Sequence, residues 1–342
     1  MTTEPNERTR DADGPTGFRR FMPIPPPPAA SPRPAMSRAE ALERLAELQA
    51  ADHDGVSVET RTALYEPDQD TDATVVIWHG FTNAPTQFAA IAEKLRLAGV
   101  RVLLPRMPYH GHADVLNHEL EALAAHELVD HVDTCIDIAA GLGGRVWVLG
   151  LSAGSVLAAW AAATRPEVDR VVLAAPLVAP KGFPMPLVRL FVRFPGMLPQ
   201  FYMWWDPRKK ADLGESPHAY PGFPVRGIIP FLHLSEALYD RQVPVGHQLR
   251  RVVLLSNPGD FAVRRDAARA FAWHVFDQHS AYLAEATVDG RLGWWHDFVD
   301  PMASHGGTTD EVAPIFLTTL GLGVDPTASG KLVEPLLTLD PA

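Results

Sequence analysis

The sequence predicts an α/β protein in which a mostly parallel sheet carries helices on both faces and is interrupted once by an inserted cap. Three observations carry that prediction. From about residue 73, apolar runs of strand length alternate with helix-patterned segments, the order of successive βαβ units. The turn Gly150-Leu151-Ser152-Ala153-Gly154 joins one such run to a helix-forming run. Between about Val178 and Pro244 the alternation stops and the chain becomes rich in Pro, Phe, Met and Trp.

Taken in order, residues 1–36 are polar and then proline-rich, and are expected to be a disordered tail because they cannot bury enough apolar surface to offset the entropy of ordering. Residues 37–177 form the first part of the core. Ser37-Arg38-Ala39-Glu40 has the form of a capping box, opening a helix with Leu42, Leu45 and Leu48 on one face. Val56–Leu64 alternates as an early antiparallel strand, and Ala73–Trp78 is the continuous apolar run of a strand buried on both faces.

Phe88, Ile91 and Leu95 mark the next helix, which Gly99 stops before a strand from Val100 to Pro105. A helix through Leu128, Val132 and Cys135 precedes the strand Arg145–Leu149. The helix after the elbow turn ends at Arg165-Pro166, before a strand from Asp169 to Ala175. Residues 178–245 are the inserted cap. Residues 246–323 complete the core with a strand Arg251–Ser256, a helix from about Val263 to Phe276, a strand near Ala281–Thr287 and a helix near Asp310–Leu320. Residues 324–342 are expected to be a loose C-terminal tail.

The formal charge of -11, from 30 Lys+Arg against 41 Asp+Glu, and the lack of a basic cluster exclude a phosphate-backbone partner, so no nucleic acid is expected. A single cysteine, Cys135, precludes an internal disulfide and a cysteine-based zinc site. No stretch has the length of a membrane span. Arg19-Arg20-Phe21-Met22 has the start of a twin-arginine export signal, but prolines replace the apolar segment that should follow, so the expected location is cytoplasmic.

A G-x-S-x-G turn between strand and helix is a nucleophile elbow, in which small flanking residues let the backbone bend sharply and present the serine above the sheet. Ser152 is therefore the candidate nucleophile. A serine hydroxyl needs a base in reach and an acid to orient that base, in the chain order Ser, Asp or Glu, His. Asp260 falls in a turn after the strand ending at Ser256, at the carboxyl edge of the sheet where ligands of open α/β sheets bind. His296 falls in the loop after the last core strand and is the candidate base, with His305 in the same loop as the alternative. The oxyanion donors expected in this geometry are the backbone N–H groups of Ala153 and of Phe81, within His79-Gly80-Phe81-Thr82. His79 reads as a support for that loop, and His110, His112, His118 and Asp114 lack the form of a metal set.

His79-Gly80-Phe81-Thr82, Pro105-Arg106-Met107-Pro108 with His110-Gly111, the elbow, the Gly259-Asp260 turn and His296 together resemble the α/β-hydrolases, most of all the bacterial carboxylesterase and monoacylglycerol-lipase-like branch. The resemblance covers about residues 73 to 320. It implies an α/β-hydrolase fold with an eight-stranded, mostly parallel sheet, a Ser152-Asp260-His296 triad, and an insertion after the sixth strand that covers the site. The acid turn Asn257-Pro258-Gly259-Asp260-Phe261 departs from the usual Gly-x-x-Asp form, and the His296 loop is long. The expected activity is hydrolysis of small to medium-chain carboxylic esters through an acyl-enzyme, with no cofactor and no metal. Thioester, lysophospholipid or amide substrates, and a non-catalytic ligand-binding relative, are the alternatives.

Overall fold

Strands buried on both faces need apolar side chains along most of their length, and the central strands of this chain have them, with Thr74 in β2 a buried polar exception. The computed structural model describes residues 22–52, 55–208, 216, 218–241, 249–278, 280, 282–288, 295–303, 308–322 and 337–341. In chain order the strands are β1 (Ala63–Tyr65), β2 (Ala73–Trp78), β3 (Arg101–Leu104), β4 (Arg145–Leu151), β5 (Val168–Ala174), β6 (Tyr202–Trp204), β7 (Gly222–Pro224), β8 (Arg251–Ser256), β9 (Leu283–Val288) and β10 (Leu337–Pro341). Eight of them form one sheet in the order β1-β3-β2-β4-β5-β8-β9-β10, antiparallel only at the β1 and β10 edges. Every residue of β2 is buried, as is all of β4 after its first residue.

The helices are α1 (Arg38–Ala50), α2 (Ala89–Leu97), α3 (Ala125–Leu142), α4 (Ala153–Thr164), α5 (Met185–Arg193), α6 (Ile229–Asp240), α7 (Arg265–Phe276) and α8 (Thr309–Thr319). The elbow helix α4 lies in the middle of the protein, with every residue from Ala153 to Ala163 buried. Such a helix is apolar all round because no face of it meets water. Cys135, on α3, is fully buried and unpaired.

Several local expectations change in the folded chain. The early strand is only Ala63–Tyr65, because Val58–Thr60 turns as a 3-10 segment whose Thr60 hydroxyl donates to the carbonyl of Gly111 at 2.6 Å. In α1, Ser37 caps the Glu40 N–H as the capping box requires, yet Leu42 is exposed and the buried residues are Ala41 and Leu45. The insertion leaves the sheet after β5, the fifth strand of this chain rather than a sixth, and consists of α5, the β6–β7 hairpin and α6. Five residues of the segment expected as a C-terminal tail form the edge strand β10.

The segment expected as a disordered tail is, from Met22 onward, a strap that meets the end of α5 through the Ile24 N–H and the Arg193 carbonyl and is fastened to α3 from Ser31. Prolines cannot donate, so the residues between them do the fastening. The Ser31 N–H donates to Asp133 Oδ2 at 2.6 Å, that of Arg33 to both oxygens of Asp137, and that of Ala35 to the Asp137 carbonyl. The same two carboxylates hold Arg165, whose guanidinium is fully buried and also reaches Glu167. Sequence patterning missed this because the strap is held by backbone N–H groups and two buried acids rather than by an apolar face. Removing one partner of a buried ionic network leaves the others uncompensated. Arg165→Met is therefore expected to destabilise the protein by about 3–5 kcal/mol in denaturant unfolding, and to expose the strap to proteolysis.

Candidate functional site

The elbow at the end of β4 is sterically dictated. Ser152 sits at φ 57°, and the Ser155 hydroxyl behind it lies 2.5 and 2.7 Å from the carbonyl oxygens of Gly150 and Ala174, its single proton shared between them. A Cβ on Gly150 would fall 2.1 Å from the carbonyl oxygen of Gly154, and one on Gly154 would fall 2.1 Å from that of Trp78. No side chain fits either position, so the two glycines allow β4, β2 and α4 to close on one another around Ser152.

The structure brings Asp260 and His296 together. His296 Nδ1 lies 2.7 Å from Asp260 Oδ2, while Asp260 Oδ1 accepts the N–H groups of Ala262 and Val263 at 2.7 and 3.1 Å. Burial pushes the Asp260 pKa up, but the bond to His296, its charge and the two backbone donors outweigh burial and hold the carboxyl below its ordinary value. Asn257 ties the acid turn to the histidine loop: its Nδ2 donates to the Trp295 carbonyl at 2.8 Å, and its Oδ1 accepts the Gly259 N–H at 3.0 Å. The Lys181 ammonium donates to the Asp260 carbonyl. His305 lies outside the described residues.

Ser152 and His296 line one cavity of about 440 Å³, and among the described residues no hydrogen bond joins them. Catalytic contacts in a free enzyme are often looser than in a complex with substrate. Gly80 and Phe81 line the same cavity, and Ala153 opens α4 directly after Ser152. The first N–H groups of a helix have no carbonyl behind them within the helix, which makes that of Ala153 a natural donor to an anion. A wider depression of about 540 Å³ lies behind Asp260, between Lys181 and Arg265, but neither Ser152 nor His296 reaches it.

His79 is a buried support. Its Nδ1 donates to the Gly80 carbonyl at 3.0 Å and its Nε2 accepts the Met107 N–H at 3.2 Å. Burial first, and then the neighbouring His110, hold its pKa well below the ordinary histidine value, so the ring stays neutral and keeps one donor and one acceptor. His110 is likewise buried, with a pKa lowered to about 3 mainly by burial, donates to the Pro108 carbonyl, and packs edgewise on Phe81. His118 packs on Tyr202. Among the described residues no three His, Cys, Asp or Glu side chains gather as a metal set.

The cap supplies the other wall of the cavity with Met203, Trp204, Trp205, Tyr220, Phe223 and Ile228. Two bonds fasten it to the loop after β2: Trp205 Nε1 donates to Thr82 Oγ1 at 2.8 Å, and the Tyr220 N–H donates to the Thr82 carbonyl at 2.7 Å. Thr82 itself is at φ 68°. Of the large apolar residues between Phe183 and Trp205, only Phe183, Met203, Trp204 and Trp205 line the cavity, and Phe183 and Trp205 are exposed at its rim, as Leu187, Leu190 and Phe201 are exposed away from it.

Asp297, next to His296, is a site residue that sequence reasoning did not single out. It lines the cavity and accepts from Asn83 Nδ2 at 3.1 Å and Gln87 Nε2 at 2.7 Å. Burial first, and then the nearby Asp300, push its pKa up, while the bonds from Gln87 and from the N–H groups of Asp300 and Val299 pull it back. An acid directly after the candidate base is legible in His296-Asp297, but its partners lie more than two hundred residues away.

A family profile described as "Serine aminopeptidase, S33" matches residues 69–218. No curated protein sequence gives a significant match. Among solved structures, one from work on LipS and LipT, two metagenome-derived lipolytic enzymes, superposes with a TM-score of 0.56 at 17% identity, covering 78% of this chain and 100% of that one. The monoacylglycerol lipase of Paleococcus ferrophilus superposes with a TM-score of 0.54 at 19% identity, over 75% and 96% of the two chains. A soluble variant of the Saccharomyces cerevisiae monoglyceride lipase, in complex with a substrate analogue, gives 0.51 at 14% identity, over 76% and 89%. Among the described residues no helix is long and apolar enough to cross a membrane. With its mostly parallel sheet, its elbow between β4 and α4, and these structural likenesses, the chain has the α/β-hydrolase fold.

Proposed function

We propose that the protein is a serine hydrolase that cleaves carboxylic esters through an acyl-enzyme. The observation that carries this reading is the His296–Asp260 bond at the wall of the cavity into which the elbow presents Ser152. Ser152 Oγ attacks the acyl carbonyl while His296 Nε2 takes its proton, and Asp260 fixes the imidazole tautomer and stabilises its positive charge. The N–H groups of Phe81 and Ala153 receive the oxyanion. His296 then returns the proton to the departing alkoxide, and water repeats the cycle on the acyl-enzyme. No cofactor is needed for these steps.

The cavity favours an apolar acyl group over a free N-terminal amine. A free amine would seek a carboxylate, and Asp297, the acid beside the base in the cavity lining, already accepts from four protein donors. The apolar wall of Met203, Trp204, Phe223 and Ile228 suits an alkyl or aryl chain, and each methylene buried there contributes about 0.8 kcal/mol, nearly fourfold in binding. For p-nitrophenyl esters, kcat/KM is expected to rise from acetate to medium-chain acyl groups and then level or fall once the cavity is full. A strict preference for acetate would refute the acyl pocket. An active-site fluorophosphonate tests the chemistry itself, because a non-catalytic binding relative would remain unlabelled.

A further inference from the structure

We propose that Asp297 is a positioning residue that holds the oxyanion loop in register with the His296 loop through two buried carboxamides; the proposal rests on the reading of Ser152 as nucleophile and Phe81 as an oxyanion donor. Each carboxamide bridges the same carboxylate to one end of the segment 80–84. Gln87 donates from Nε2 to Asp297 Oδ2 at 2.7 Å and accepts the Gly80 N–H at Oε1, also at 2.7 Å. Asn83 donates from Nδ2 to Asp297 Oδ2 at 3.1 Å and accepts the Ala84 N–H at Oδ1 at 2.8 Å. Both amides are buried.

The chemistry of the groups makes this arrangement directional. A carboxamide has one accepting and one donating end, so a carboxylate at the donating end turns the accepting end toward the loop. Oδ1 of Asp297 is itself aimed by the N–H groups of Val299 and Asp300, both at 3.1 Å. An asparagine at position 297 has a single acceptor oxygen and must turn its own NH2 toward one pair of these donors in either orientation. Phe81 lies between the two anchored ends, and Asp297 adjoins the base. The carboxylate thus sets the distance between the oxyanion donor and His296, two groups brought together from distant parts of the chain. Misplacement of such a group by about 1 Å can cost about a hundredfold in rate.

The experiment measures kcat and KM on a p-nitrophenyl ester for the full chain carrying Asp297→Asn, Gln87→Glu and both together, with Ser152→Ala alongside. Asp297→Asn is expected to lower kcat by about 10- to 100-fold with KM changed less than about threefold, since donor geometry matters most in the transition state. Gln87→Glu sets carboxylate against carboxylate and is expected to lose about as much. In the double variant the amide introduced at position 297 can donate to the carboxylate introduced at position 87, whose second oxygen keeps the Gly80 N–H. Part of the loss should therefore return, by about fivefold or more over either single variant.

Wild-type kcat in Asp297→Asn, a change confined to KM, or a double variant equal to the product of the singles would overturn the proposal. If Asp297→Asn does not fold, Gln87→Met decides: lowered kcat at unchanged Tm supports the bridge, and unchanged kcat refutes it. Turnover retained in Ser152→Ala would instead refute the hydrolase reading, whatever the Asp297 variants do.

Discussion

Ser152→Ala is expected to lower kcat on p-nitrophenyl esters by about 10⁴- to 10⁶-fold while leaving Tm and the far-UV spectrum unchanged. The loss is large because, in the proposed mechanism, the hydroxyl supplies the atom that forms the acyl bond, and the donors that remain stabilise an oxyanion that water alone must create. The fold survives because the turn is held by its surroundings. Gly150 and Gly154 admit the close approach of neighbouring backbone, the Ser152 N–H donates to the Ala174 carbonyl, and Ser155 bonds two carbonyls beneath it. Residual turnover comparable to wild type would remove Ser152 from the chemistry. Loss of activity together with a large fall in Tm would show instead that the variant had damaged the turn.

His296→Ala should match that loss, and Asp260→Asn should lower kcat by about 10⁴-fold. An alanine at position 296 removes the proposed proton acceptor outright. An asparagine at position 260 keeps the shape but can present its NH2 to Nδ1, selecting the tautomer whose Nε2 already carries a proton. Acidification acts through the same atom, because a protonated imidazole cannot accept from Ser152, so kcat/KM is expected to fall as the solution is acidified. The bond to His296 and two backbone N–H groups hold the Asp260 carboxyl below its ordinary value against burial, which favours the ionised form that orients the imidazole. A His305→Ala variant that abolishes turnover while His296→Ala does not would transfer the base to the other histidine of the loop.

What can be read from the chain depends on how far a constraint reaches along it. The alternation of buried strands and helices was legible because sheet faces and helix stripes impose their periods on neighbouring residues. Ser152 was legible for the same reason, since the elbow, its strand and its helix are contiguous. Asp260 and His296 could be nominated from their slots after β8 and β9, but their 2.7 Å contact belongs to the folded sheet. The strap from Met22 to Ala35 was misread because its partners are two acids about a hundred residues away, and composition records only that the segment lacks an apolar face.

By itself, then, the sequence determined the core strands β2 to β5, β8 and β9, the crossover helices and the elbow, all of which rest on local periodicity and turn sterics. Only the tertiary structure decided which cap residues face the cavity, how Thr82 receives the cap, and that Asp297 reaches Gln87 and Asn83. The last two are hydrogen bonds between groups far apart in the chain. A polar residue carries no periodic mark of its partner, and its pairing is settled when the sheet brings its loops to one edge.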